Sequence, residues 1–234
     1  MASSVMLKLS GEALSGDAGF GIDPGVLERL CDQLETLRQA GHSIALVLGG
    51  GNLFRGKALA DHGMDRVVGD RMGMLATVMN ALAMADFANR RGLPASVYSA
   101  MAIDSITPCY NRDLARADLQ AGKVVLLCAG TGNPFFTTDT AACLRAIELD
   151  CDMVLKATNV DGVYSSDPRS DANAEKYDRI SYDEVLNRGL GVMDLTAIVL
   201  CKENAMPLLV FDIGDDNAIV RVVEGEALGT RVVP

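Results

Sequence analysis

Three stretches carry residues whose types and spacing suit phosphate chemistry. Residues 44–56 read Ile-Ala-Leu-Val-Leu-Gly-Gly-Gly-Asn-Leu-Phe-Arg-Gly, an apolar run, three glycines and Arg55 within one helical turn. Glycines let the backbone turn tightly with its N–H groups bare, and bare amides at a strand end bind oxyanions. The dipole of a following helix and the guanidinium fork of Arg55 would add to that attraction. A plain glycine turn is the competing reading, because a lone glycine motif matches often. Residues 5–9, Val-Met-Leu-Lys-Leu, set one lysine in an apolar run just before Ser10, Gly11 and Glu12. A buried, unpaired ammonium is costly, so Lys8 is expected to reach an anion at the strand's end; an edge-strand lysine in solvent is the alternative. Residues 129–139, Ala-Gly-Thr-Gly-Asn-Pro-Phe-Phe-Thr-Thr-Asp, combine glycines, hydroxyls, an amide and two aromatics. Such a set can cradle a phosphate, hydrogen-bond a base edge and pack on a flat ring. Phe135 and Phe136 have little reason to sit in a loop unless they cover something, although an ordinary connection capped by Thr138 or Asp139 would also fit.

Two familiar phosphate motifs fail on their chemistry. Gly51 to Lys57 has Walker A spacing, but Ala58 stands where a magnesium-binding hydroxyl is required. Gly130 and Gly132 open a dinucleotide fingerprint that reaches Phe135 where the third glycine should be.

These residues need strands and helices to hold them. The 234-residue chain is 49% apolar, enough for one domain with a full core. A net charge of −10 disfavours nucleic acid or an anionic membrane as partner. Six cysteines without a Cys-x-x-Cys pair read as free thiols of a reduced, cytoplasmic protein. The N-terminus lacks the pattern of a secretion signal. The most apolar stretch, residues 72–88, is interrupted by Asn80 and Asp86 and falls short of the roughly 18 clean apolar residues of a membrane span. With only His42 and His62, both expected at the surface, a histidine metal site is not predicted.

Strand and helix signals alternate along the chain. Strands are predicted at 5–9, 44–48, 95–98, 124–128, 153–157, 208–211 and 230–233. Asp23 and Pro24 start a helix whose apolar face is Leu27, Leu30, Leu34 and Leu37. Asp65 caps a long helix to about Arg91, apolar on two sides, which suggests packing on the core and on another subunit. Shorter helices are predicted at 113–121, 140–149, 182–188, 194–204 and 217–224. A second lysine, Lys156, lies near the end of the 153–157 strand, and Tyr164 and Asp167 follow in a polar loop that could pack and recognise an adenosine.

Taken together, these loops resemble the bacterial uridylate (UMP) kinases of the amino acid kinase family over essentially the whole chain. The similarity rests on Leu-Lys-Leu-Ser-Gly-Glu at 7–12, the glycines at 49–56, Val-Gly-Asp at 68–70, Gly-Met-Leu-Ala-Thr at 73–77, residues 130–139, Val-Asp-Gly-Val-Tyr at 160–164 and Val-Met-Asp at 192–194. The resemblance implies a single domain over residues 1–234, a three-layer α/β/α fold around a mostly parallel sheet, a homohexamer, and magnesium-dependent transfer of the ATP γ-phosphoryl group to UMP. It places ATP at Lys8, Leu9, Ser10, Gly11, Gly51, Arg55, Thr158, Asn159, Tyr164 and Asp167. UMP would lie across Gly50, Asp70, Thr131, Gly132, Asn133, Pro134, Phe135, Phe136, Thr137 and Thr138. Lys8, Arg55 and magnesium would neutralise the transferring group, with Asp139 orienting Lys8 or a water on magnesium and Asp194 serving similarly or capping a helix.

The family's GTP-linked loop is matched by Gly16, Asp17, Ala18, Gly19, Phe20 and Gly21. Yet Ala85, Asn89 and Ser96 stand where some relatives carry basic or histidine side chains for GTP, and Asn159 replaces a frequent lysine. GTP activation is therefore disfavoured, while UTP inhibition at the UMP site is expected. Lys8→Ala should lower kcat on the order of 10², the effect of losing one preorganised charge donor. Initial rates at saturating substrates check this, and an unchanged kcat would exclude the role.

Overall fold

A computed structural model describes residues 3–54, 62–168, 170–171, 173–214 and 216–234. In chain order the elements are β1 (Ser4–Leu9), α1 (Pro24–Gln39), β2 (Ser43–Leu48), α2 (Arg66–Arg90), β3 (Ala95–Ser99), α3 (Arg112–Gln120), β4 (Val124–Cys128), α4 (Thr138–Glu148) and β5 (Met153–Thr158). There follow β6 (Val163–Tyr164), β7 (Lys176–Tyr177), β8 (Arg179–Ser181), α5 (Tyr182–Arg188), α6 (Leu195–Glu203), β9 (Leu208–Asp212), α7 (Ala218–Val223) and β10 (Thr230–Val233).

Eight strands form one sheet in the order β3-β4-β2-β1-β5-β9-β10-β8, and β6 with β7 makes a separate two-stranded ribbon. All neighbours in the large sheet run parallel except β9 with β10. β1 lies between β2 and β5, so successive crossovers leave it in opposite directions. That is a topological switch point, where loops at the carboxyl ends of the strands part and leave a crevice.

Alternation along each strand divides the core in two. Val5, Leu7 and Leu9 of β1 pack with Leu27, Leu30 and Leu34 of α1, Met74, Val78 and Met84 of α2, and Ile219 of α7. Met6 points to the other face, with Ala115 and Leu119 of α3, Ala142 and Ala146 of α4, Tyr182 of α5 and Ile198 of α6. A central strand covered on both faces must be apolar throughout, which is why β2 and β4 read as unbroken runs. The result is the expected three-layer α/β/α sandwich.

Local chemistry sets the ends of the helices. Asp23 accepts from Val26 N at 3.0 Å with Pro24 in the first turn, and Asp65 accepts from Val68 N at 3.1 Å. α2 is apolar on two sides, as predicted: Met74, Val78 and Met84 are buried, whereas Val68, Met72, Leu75 and Met79 form an exposed stripe.

Some expectations change. α4 begins at Thr138, not Thr140, because the cap is Thr137, whose hydroxyl accepts from Asp139 N at 3.0 Å and Thr140 N at 3.4 Å. His42 is buried rather than at the surface, its ring held between Ser3 N and the Glu224 carboxylate. β1 is central, which removes the solvent-exposed alternative for Lys8. β6, β7 and β8, of two or three residues each, were not anticipated, being too short to show a period of two.

The turn after β1 packs backbone to backbone against the glycines after β2. A Cβ on Gly11 would lie 2.6 Å from Gly51 N and 2.8 Å from Gly49 O, atoms that cannot swing aside. Gly11→Ala is therefore expected to cost about 1–3 kcal/mol by overpacking. Urea denaturation reads this directly, and a midpoint equal to wild type would show that the two turns can separate freely.

Candidate active site

Lys8 and Lys156 are direct partners in the β1–β5 register. Their side chains leave the sheet on the same face and converge on the first turn of α4. There Lys8 Nζ stands 2.7 Å from Asp139 Oδ1 and Lys156 Nζ 2.8 Å from Oδ2. Lys156 also donates to the Val192 carbonyl at 2.5 Å. All three side chains are largely buried, so neither ammonium could remain charged cheaply without the carboxylate. Burial alone would raise the Asp139 carboxyl, but Lys8 and Lys156 outweigh it and hold the group below its ordinary range. Two cations around one anion leave one positive charge uncancelled at the crevice.

On one side of this cluster is a cleft of about 160 Å³ walled by Gly50, Gly51, Asp70, Thr77 and loop residues from Gly130 to Thr138. Thr131, Asn133, Phe136, Thr137 and Thr138 line it; Gly132, Pro134 and Phe135 do not. Gly132 instead packs tightly on the Ala100 carbonyl at φ +81°, and Phe135 holds the loop from outside. The Phe135 amide donates to Asp70 Oδ2 at 2.7 Å, while Arg66 grips the same carboxylate at 2.8 Å and lies 5.6 Å from the centre of the Phe135 ring. Asp70 thus anchors the loop and also faces the cleft. Among the described residues the Thr131 and Asn133 side chains bond each other's backbone or hydroxyl at 3.3 to 3.4 Å, long contacts that a ligand's base edge could replace.

A second cleft, of about 470 Å³, has Lys156 in its wall. Thr158, Tyr164 and Asp167 line it, together with Lys156, Arg188 and Val192. Tyr164 Oη donates to Asp161 at 2.6 Å, and Lys176 pairs with the same carboxylate at 3.0 Å. Asn159 is exposed and is not part of the lining. Leu9 is fully buried core, so only its backbone can face a ligand. Ser10 and Gly11 form the turn after β1 and are in the lining of neither cleft, while Gly51, assigned to the triphosphate, lines the smaller cleft beside Gly50. Arg55 lies outside the described residues.

Asp194 caps α6, accepting from Ala197 N at 3.0 Å, and its carboxylate also receives the Thr140 hydroxyl at 2.8 Å and that of Thr137. It ties α6 to the start of α4, two residues from Asp139. Residues 16–21 form a short 3₁₀ turn, Gly16–Ala18, and a bend in which Phe20 is exposed. Gly21 is bonded in both directions to Asn52 in the glycine turn, at 3.0 and 2.7 Å.

The sequence draws notice to Lys156, to Asn80 as a break in an apolar stretch and to Thr77 within a motif, without placing them in the site, and gives no sign of Arg188. The signal for Lys156 was its match to Lys8: two apolar strands each interrupted once by lysine near the carboxyl end.

Residues 4–212 match the model of the amino acid kinase family, and the chain belongs to that family. Its curated relatives are narrower in kind. The uridylate kinase of Ectopseudomonas mendocina is 58% identical over 228 residues, covering 97% of this chain and 92% of that protein. That of Pseudomonas aeruginosa is equally similar, with 97% and 93% covered. Among solved structures, the UMP kinase of Bacillus anthracis superposes with a TM-score of 0.95 at 32% identity, over 99% of this chain and 96% of that one. The UMP kinase of Ureaplasma parvum gives 0.94 at 36% identity over the full length of both.

The depressed Asp139 carboxyl contributes stability above its unfolded value, near 3.8, and loses it as pH falls through the lower folded value. The stability gap between wild type and Asp139→Asn should therefore be flat from about pH 5 to 8 and close below about pH 4. Urea titrations across that range test this, and a gap that persists unchanged at pH 3 would refute the paired geometry.

Proposed function

We propose that the chain transfers the γ-phosphoryl group of ATP to UMP, giving UDP and ADP in pyrimidine nucleotide synthesis. The observation that carries this reading is the buried lysine–aspartate–lysine cluster, with Lys156 in the wall of the larger cleft and Asp139 directly following Thr138 in the wall of the smaller. The larger cleft suits ATP, with its adenosine against Tyr164 and Asp167. The smaller suits a nucleoside monophosphate, with the phosphate toward Gly50, the ribose at Asp70 and the base at the 130–138 loop. On this reading residues before α4 build mainly the acceptor side of one domain, and residues after it mainly the donor side.

The attacking oxygen of UMP is already ionised, so no strong base is needed. The task is to hold two repelling phosphates in line and to stabilise charge on the group in transit. Lys8 and Lys156, fixed by Asp139 before substrate arrives, supply that charge without reorganising during the reaction. Both Asp139 oxygens face lysines, and among the described residues no group of three His, Cys, Asp or Glu could hold a metal. The residues therefore fit magnesium only as an ion bound through phosphate oxygens and water, where it would add positive charge.

The exposed apolar stripe of α2 supports assembly with further copies, in the homohexamer that the resemblance implies. UTP would inhibit by offering the acceptor cleft the same base. For GTP the residues argue otherwise: Asn89 spends its amide on the backbone of Ala85 and Ala95. The six cysteines are free thiols, five of them buried, and a cytoplasmic location is part of the same proposal. Among the described residues no helix is long and apolar enough to cross a membrane.

ADP release measured with UMP, CMP, acetylglutamate and carbamate tests the acceptor. UMP should give a rate at least tenfold above each of the others, since polar groups paired to one base edge are left unpaired by another. Turnover of acetylglutamate or carbamate without UMP would overturn the reading.

A further inference from the structure

Helix α2 reaches the acceptor cleft with more than Asp70. Thr77 and Asn80, three residues apart and so on neighbouring turns of one face, are polar side chains buried to 3% and 0% exposure. The Thr77 hydroxyl gives its proton to the Met74 carbonyl at 2.6 Å, which leaves its lone pairs free to accept the Ala129 amide at 2.8 Å. Ala129 follows β4 directly and has φ +60°, an unfavourable conformation for a residue with a Cβ. Gly130 continues it at φ +57°, so these two residues set the direction in which the 130–138 loop departs. Asn80 donates to the Gly49 carbonyl at 2.7 Å and exchanges two bonds with buried Asn52, at 2.7 and 3.0 Å. One helix face therefore holds both walls of the cleft, the glycine turn after β2 and the loop after β4, through side chains bonded to backbone.

We propose that Thr77 and Asn80 are positioning residues of the acceptor site, fixing the spacing between the amides of the glycine turn and the base-recognition loop. The inference rests on the reading of that cleft as the UMP site. Thr77 acts through Ala129 and Asn80 through Gly49. Neither bears on the donor cleft, whose lining comes from β5 onward.

The test is a steady-state comparison of wild type, Thr77→Val and Thr77→Ser with UMP and ATP varied separately. Valine keeps the shape of threonine but leaves the Ala129 amide without its acceptor; serine restores the hydroxyl and lacks only the methyl. Thr77→Val should raise KM for UMP roughly tenfold, the effect of one unsatisfied buried amide, and leave KM for ATP within about twofold. Thr77→Ser should recover most of the loss. Thr77→Ala removes the same hydroxyl without new bulk and carries the comparison should the valine variant not fold. Wild-type kinetics in the hydroxyl-deleted variant, equal rises in both KM values, or a serine variant as impaired as valine would each overturn the proposal. Absence of UMP turnover in the wild type would instead overturn the assignment of the cleft, so the two failures are distinguishable.

Discussion

Everything at the crevice depends on one carboxylate shared by two ammonium groups. Asp139 gives the largely buried Lys8 and Lys156 a shared counter-charge, and its own ionisation is sustained by them. Removing Asp139 leaves two buried ammonium groups without compensation, which costs more than the intact cluster contributes, whereas removing either lysine leaves the carboxylate its other partner. Such a cluster is poor as a stability device. On the proposed reading it serves as a store of fixed charge aimed at phosphate.

The fold supplies the geometry that this cluster requires. Parallel strands covered on both faces are apolar, so a lysine there can only sit near a carboxyl end, where the sheet opens. β1 and β5 are neighbours at the switch point, and α4 starts where the loop after β4 has crossed over them. Thr137 caps that start, Asp194 binds it to α6, and α2 grips the loop leading to it at Ala129 and Phe135. Asp139 is held in place by neighbours on both sides.

Much of this was legible in the sequence. The seven principal strands, the caps at Asp23 and Asp65 and the two apolar sides of α2 follow from periodicity and from Ser, Thr, Asp and Pro placement. Lys8 and the 130–138 loop stood out because a lysine interrupts an apolar run and aromatics occupy a loop, whereas Asp70 entered only through the family resemblance. What was illegible depends on contacts far apart in sequence. Lys156 gains meaning only when β5 is known to lie beside β1, and Asn80 reads as a flaw in an apolar helix until Gly49 is found opposite it. His42 misled for the same reason, since its partners, Ser3 and Glu224, come from opposite ends of the chain. The motif resemblance assigned Gly51 to the triphosphate, whereas in the fold it lines the smaller cleft beside Gly50.

The pairing of Lys8 with Lys156 in adjacent strands has a consequence for quality control. Side chains alternate between faces, so a slip of one residue between β1 and β5 would turn one ammonium into the aliphatic layer beneath and carry it away from Asp139. Such a molecule could retain most of its helices and strands yet be chemically silent. Specific activity therefore gauges alignment at the centre of the sheet, where spectroscopic measures of secondary structure would register almost nothing.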